Sequence, residues 1–343
     1  MTAVPSRPPP TRYAETNTGH LAYQTFGSGD RDIIFLTGAL TNLDAIWDEP
    51  SAVRFLDRLG SMGRVIFYDM RGSGVSDPIL DRSKWLPIEA LVDDVRAVLD
   101  AVGSEQAVVY GDTEGGFSAM MPAAVDPQRV SALVLVNAYP RLLRADDYPI
   151  GAPQAVADAL AHMYAAQHGT TGAMLEMTAP SAAGDLRFRT WWTRYQRSSV
   201  PLGLARSTFE WFGEVDVRAA LPLIHAPTLV VSRRDARFHR LQYGEYLASL
   251  IEGAALRVVE GADTVPFMPG TSNPPSNKWR SLSPESTTSL GRTASWQPFS
   301  SPTSSDRRHW PHPWVTSGGS TCSRSTIGSF ALNSADSGVA RSR

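Results

Sequence analysis

The chain has 343 residues, 42% of them apolar, with 32 Lys and Arg against 34 Asp and Glu and a formal charge of −2. It can bury a sizeable core, and its near-zero charge argues against an electrostatic nucleic-acid or membrane-surface binder. A lone Cys322 excludes a disulfide framework and a cysteine-built metal site. No apolar run approaches the roughly 18 residues of a membrane span. The Pro-rich start, Met1 to Tyr13, carries no apolar signal core. A cytoplasmic protein is expected, with no metal, cofactor, nucleic-acid or membrane partner.

Residues 1–18 read as an N-terminal arm, and strand signals follow it. Leu21–Phe26, Ile33–Thr37, Val65–Tyr68, Ala107–Tyr110, Ala132–Val136, Thr228–Ser232 and Leu256–Val259 are short apolar runs. Such runs suit strands covered on both faces. Between them, Ile88–Val102 places Leu91, Val95, Val98, Leu99 and Val102 at helical spacing, and Gly103 supplies a stop. Strands alternating with helices predict a mostly parallel sheet with helices on both faces. From about 141 to 220 the strand signal disappears, and Trp191, Trp192, Tyr195, Phe209, Trp211 and Phe212 sit in amphipathic stretches. This reads as an inserted helical cap whose aromatics form its core first and ligand contacts second. Residues 19–269 therefore form one domain.

The remaining residues have another texture. Of the 73 residues 271–343, 19 are Ser, yet four of the nine Trp lie there (Trp279, Trp296, Trp310, Trp314). Such a composition predicts disorder.

Five motifs carry a resemblance. Asp69-Met70-Arg71-Gly72-Ser73-Gly74-Val75-Ser76 after a strand resembles the D-x-R-G-x-G-x-S loop of α/β-hydrolases. Thr37-Gly38-Ala39 stands where that family has its oxyanion loop. Gly111-Asp112-Thr113-Glu114-Gly115-Gly116, between strand and helix, resembles the nucleophile elbow. Arg234-Asp235 matches the position of the catalytic acid, and Gly261-Ala262-Asp263-Thr264 the loop that supplies the base. The resemblance implies an α/β-hydrolase fold with Thr113, Asp235 and Thr264 at the three catalytic positions. It also implies that the backbone N–H groups of Ala39 and Glu114 form the oxyanion hole.

Two of the three side chains depart from the family. Thr113 stands where the family has Ser, and Thr264 where it has His. A hydroxyl attacks poorly without a neighbouring base, and Thr264 cannot be one. Asp112 as nucleophile would require a one-residue slip of the elbow. His239 could replace the base, but four residues after Asp235 it reads as a solvated residue at a helix start. Glu114 could be a base, but it reads as packing or facing the cap.

Asn42–Pro50, the Glu-Gly-Gly form of the elbow, Val130–Leu135 and Glu214–Arg218 narrow the resemblance. They are similar to hydrolase-like domains joined to class III adenylate or guanylate cyclase domains. That resemblance implies a sensing or regulatory domain. Read one base out of phase, Trp296–Arg307 permits a sequence similar to the opening strand and metal-binding loop of such cyclases. The tail then reads as frameshifted and the protein as a truncated cyclase-type chain. The functional expectation is a non-catalytic domain binding a small molecule, with a homodimer possible. The alternative is an esterase-like hydrolase acting on a small apolar ester.

Overall fold

The computed structural model describes residues 8–38, 40–79 and 87–268. All the described residues lie within one compact unit. The expectations of a disordered or frameshifted tail, residues 270–343, lie outside them.

Arg12–Thr16 forms β1 and Gly19–Phe26 forms β2, paired antiparallel across a two-residue turn. Strand β1 lies within the stretch read as an N-terminal arm. Only Ala14 of its five residues is buried, so no alternating pattern marked it. Then come β3 (Asp32–Leu36), α1 (Pro50–Gly60), β4 (Arg64–Tyr68) and α2 (Ile88–Ala101). Helix α2 ends as expected at Gly103, whose φ of 64° a side chain would disfavour. After it follow β5 (Ala107–Asp112), α3 (Gly115–Val125) and β6 (Val130–Val136).

The expected cap is helical: α4 (Gln154–Gln167), α5 (Leu175–Thr178), α6 (Leu186–Ser199) and α7 (Leu202–Glu214). The Asp185 carboxylate starts α6 by accepting from the N–H groups of Arg187 and Phe188. The sheet resumes with β7 (Thr228–Arg233), α8 (Leu241–Leu250) and β8 (Ala255–Val259).

The eight described strands run in the order β1-β2-β4-β3-β5-β6-β7-β8, parallel from β4 to β8. One face packs Ile34, Ile66, Val109 and Leu133 against α2, α3 and α8. The other packs Ile33, Phe35, Phe67 and Tyr110 against α1. Phe35 alone meets three other rings, with centroids 5.2 to 5.6 Å away. None of the described helices is long and apolar enough to cross a membrane.

The loop after β4 shows why its motif residues stand where they do. Asp69 is fully buried, and its Oδ2 accepts the N–H groups of Val75 (2.9 Å) and Leu43 (3.3 Å). Gly74 has φ 55°, and any Cβ there would collide with that carboxylate. Arg71 pairs with Asp94 on α2, their side chains 8% and 1% exposed. The Ser76 hydroxyl donates to the Asp69 carbonyl (2.7 Å) and accepts the Ala22 N–H (2.8 Å).

Burial pushes the Asp69 carboxyl up to about 7, against the pull of its hydrogen bonds. A folded-state value above the unfolded one means stability present at low pH and lost as pH rises from about 4 to about 7. The loss from this group is bounded at about 4 kcal/mol, at about 1.4 kcal/mol per pH unit. Urea melts of wild type and Asp69→Asn should therefore show the wild-type advantage shrinking between pH 5 and pH 8. Parallel profiles would contradict this.

Candidate functional site

Strand β5 delivers Asp112 to the carboxyl end of the sheet, and the next residue turns the chain into α3. That residue, Thr113, has φ 51°, a left-handed conformation. The strain costs a β-branched residue about 1–2 kcal/mol. The turn is held by the Thr113 N–H donating to the Val136 carbonyl at 2.9 Å. It also needs Gly115, where a Cβ would overlap the Leu36 carbonyl. A strained, side-chain-bearing residue at a strand-to-helix turn is the geometry expected of the elbow. Thr113→Gly should accordingly stabilise the fold by about 1 kcal/mol, strain relief exceeding the extra chain entropy of glycine. Thermal melts would show it, and an unchanged or lowered midpoint would contradict the strain.

Above the elbow lies a mostly apolar cavity of about 120 Å³. Its floor holds Asp112, Thr113, Glu114, His239 and Thr264, with Thr37 and Gly38 beside them. The cap supplies Tyr164 from α4, Trp192 and Tyr195 from α6, and Phe209 and Phe212 from α7. The cap aromatics thus divide between the cap core and the cavity wall. Trp191 packs in the core with Phe188 and Phe267 (5.3 and 5.8 Å), while Trp192 faces the cavity.

His239 is the main correction to the sequence reading. It is not a solvated residue at a helix start but 3% exposed, with its ring at the cavity floor. Its Nε2 lies 3.1 Å from Glu114 Oε1 and its Nδ1 3.0 Å from the Thr264 hydroxyl. That hydroxyl also donates to the Thr178 carbonyl at 3.3 Å, and the Thr264 N–H donates to the same carbonyl at 2.7 Å. Glu114 Oε1 accepts the Tyr139 hydroxyl as well, at 3.2 Å. The expectation that Glu114 only packs or faces the cap is therefore corrected: its carboxylate is the centre of this network. Burial would raise the Glu114 carboxyl, but the charge and hydrogen bond of His239 outweigh it and hold it low.

Thr113 and Thr264 share the cavity floor, as their motifs lead one to expect. Asp235 does not join them: its side chain is exposed, and its backbone N–H is tied to the Gly261 carbonyl at 3.1 Å. The physical reason lies in the following residues. Ala236, Phe238 and His239 are the ones buried, so this loop turns those side chains inward and Asp235 outward. Asn137 links the two loops instead, donating to the Thr264 carbonyl (3.1 Å) and accepting the Arg233 N–H (3.1 Å). Ala39, the other expected oxyanion donor, lies outside the described residues.

Asp112 is 2% exposed, its Oδ2 3.5 Å from the Thr113 hydroxyl. Burial first, then the Glu114 charge, push its carboxyl well above the usual range. Its Oδ1 and the Tyr164 hydroxyl are buried without a hydrogen-bond partner. Among the described residues, no cluster of His, Cys, Asp or Glu could hold a metal ion.

With this geometry in place, similarities to known proteins become informative. Residues 33–271 match the family model described as the alpha/beta hydrolase fold. Strigolactone esterase D14 of Arabidopsis thaliana is 25% identical over 74% of this chain and 92% of that protein. Karrikin insensitive 2 receptor CA of Petunia hybrida is 23% identical, covering 72% and 89%. The solved structure of Est816, described as an N-acyl homoserine lactone degrading enzyme, superposes with a TM-score of 0.60. Est816 is 26% identical over 77% of this chain and 96% of that one.

Proposed function

Because the chain belongs to the alpha/beta hydrolase fold family, we propose that it is a ligand-binding member in which the elbow no longer transfers acyl groups. The observation that carries this is the engagement of both ring nitrogens of His239, by Glu114 and Thr264. Among the described residues, the one imidazole on the cavity floor is thereby turned away from the role of base to Thr113. The other groups near the Thr113 hydroxyl serve no better. Asp112 is buried with only a long, 3.5 Å approach to that hydroxyl, and Glu114 is held low, below the near-neutral value an efficient general base needs. Threonine at a strained turn with no base is a poor nucleophile.

What remains is an aromatic-walled pocket with a few convergent polar groups, the usual make-up of a small-molecule site. A small, mostly apolar molecule is the expected occupant. A relative named as a receptor supports the view that this fold can serve binding rather than turnover. The likeness of Asn42–Pro50 and the Glu-Gly-Gly elbow to domains fused to class III cyclases supports regulatory use of that binding.

A second reading, hydrolysis of a small ester, is favoured by the retained elbow conformation at Thr113 and by the relative named an esterase. Hydrolysis of p-nitrophenyl butyrate separates the two. Wild type and Thr113→Ala should both run at the buffer rate, because neither has an activated nucleophile. A wild-type rate that falls by about 100-fold or more in Thr113→Ala or His239→Ala would establish the second reading.

A further inference from the structure

The N-terminus of α3 and the loop after β3 form the place where this fold presents backbone N–H groups to an oxyanion. Here that place is not open. A Cβ built on Gly38 would come within 2.9 Å of both Oε2 and Cβ of Glu114, so the Glu114 carboxylate lies directly against the loop. Its other oxygen is gripped by His239 and Tyr139, at 3.1 and 3.2 Å.

We propose that the Glu114 carboxylate is a built-in occupant of the anion position at the elbow, so that the cavity takes an apolar molecule headed by a hydroxyl and refuses carboxylates. The proposal rests on the binding role argued above and names its ligand class. Three observations meet in it. The anion position already contains a negative charge, and a second one nearby in a desolvated pocket is strongly disfavoured. Among the described residues, no Lys or Arg lines the cavity to offset an incoming carboxylate. Two polar atoms on its wall, Asp112 Oδ1 and the Tyr164 hydroxyl, are buried and unpartnered. Buried polar atoms call for partners, and a hydroxyl can donate to a carboxyl oxygen or accept from a phenol. An ammonium head is less suited, since Glu114 Oε1 is already engaged by His239 and Tyr139 and most of the remaining lining is apolar.

The test is titration of the full chain with hexanol, hexanoate and hexylamine, read by the fluorescence of Trp192 in the cavity wall and by thermal shift. Wild type should bind hexanol at least about tenfold more tightly than either charged probe. Glu114→Ala should empty the anion position and tighten hexanoate by about tenfold or more. Glu114→Gln, which keeps the shape and removes the charge, should narrow the preference if the alanine variant does not fold. Equal binding of hexanol and hexanoate by wild type would overturn the proposal, as would tightest binding of hexylamine, or a preference unchanged in both variants. Hexanoate uptake by Glu114→Ala, with no probe binding to wild type, would uphold the occupied anion position and overturn the binding role. Silence of every variant toward every probe would overturn both.

Discussion

Replacing Glu114 by leucine should destabilise the fold by about 3 kcal/mol, the lower end of the range for breaking a buried ion pair. The lower end applies because Glu114, with a side chain 16% exposed, faces the cavity, whereas His239 is only 3% exposed. The cost arises less from the contact than from what is left behind. His239 Nε2 and the Tyr139 hydroxyl would both lose their acceptor inside a desolvated wall. Changing His239 to leucine as well should therefore recover much of the loss. Urea unfolding of the single and double variants measures the coupling directly. Strict additivity would mean that the two side chains stand side by side without interacting.

The second large effect is predicted at Arg71, in the loop after β4. Arg71→Ala should cost about 3–5 kcal/mol, because Asp94 would remain buried without its cation. Burial already raises the Asp94 carboxyl, and Arg71 opposes that. Without Arg71 the carboxyl rises further, so the folded variant must retain a proton that the unfolded chain releases above about pH 4. The deficit should thus grow as pH rises from 4 toward 8, and Asp94→Asn in the same background should flatten that slope. A deficit independent of pH would show that lost packing, not the stranded carboxylate, is responsible.

The sheet was legible because strands β2 to β8 are short apolar runs, buried on both faces in all but β8, and need no periodicity to be seen. Strand β1 was not, since one inward Ala14 among exposed neighbours leaves no pattern. The elbow and the loop after β4 were legible for a different reason: their glycines and polar residues answer local backbone demands, such as the space Asp69 leaves at Gly74. The floor of the cavity was legible only in part. Thr113 and Thr264 follow from their loops, whereas His239 lies outside every motif. The available signal was Phe238, an apolar neighbour that marks this stretch as packed. Where the Glu114 carboxylate goes is a matter of side-chain rotamer and of two distant partners, Tyr139 and His239. No spacing in the chain encodes that.

The central claim is that the elbow persists as a shape without its acyl-transfer chemistry. Intact-mass analysis after prolonged incubation with p-nitrophenyl butyrate tests this most directly, because an activated hydroxyl would retain or pass on the butyryl group. The prediction is an unmodified chain at every time point, with p-nitrophenol release matching the buffer blank. A butyryl adduct that maps to Thr113 and is absent from Thr113→Ala would contradict the account.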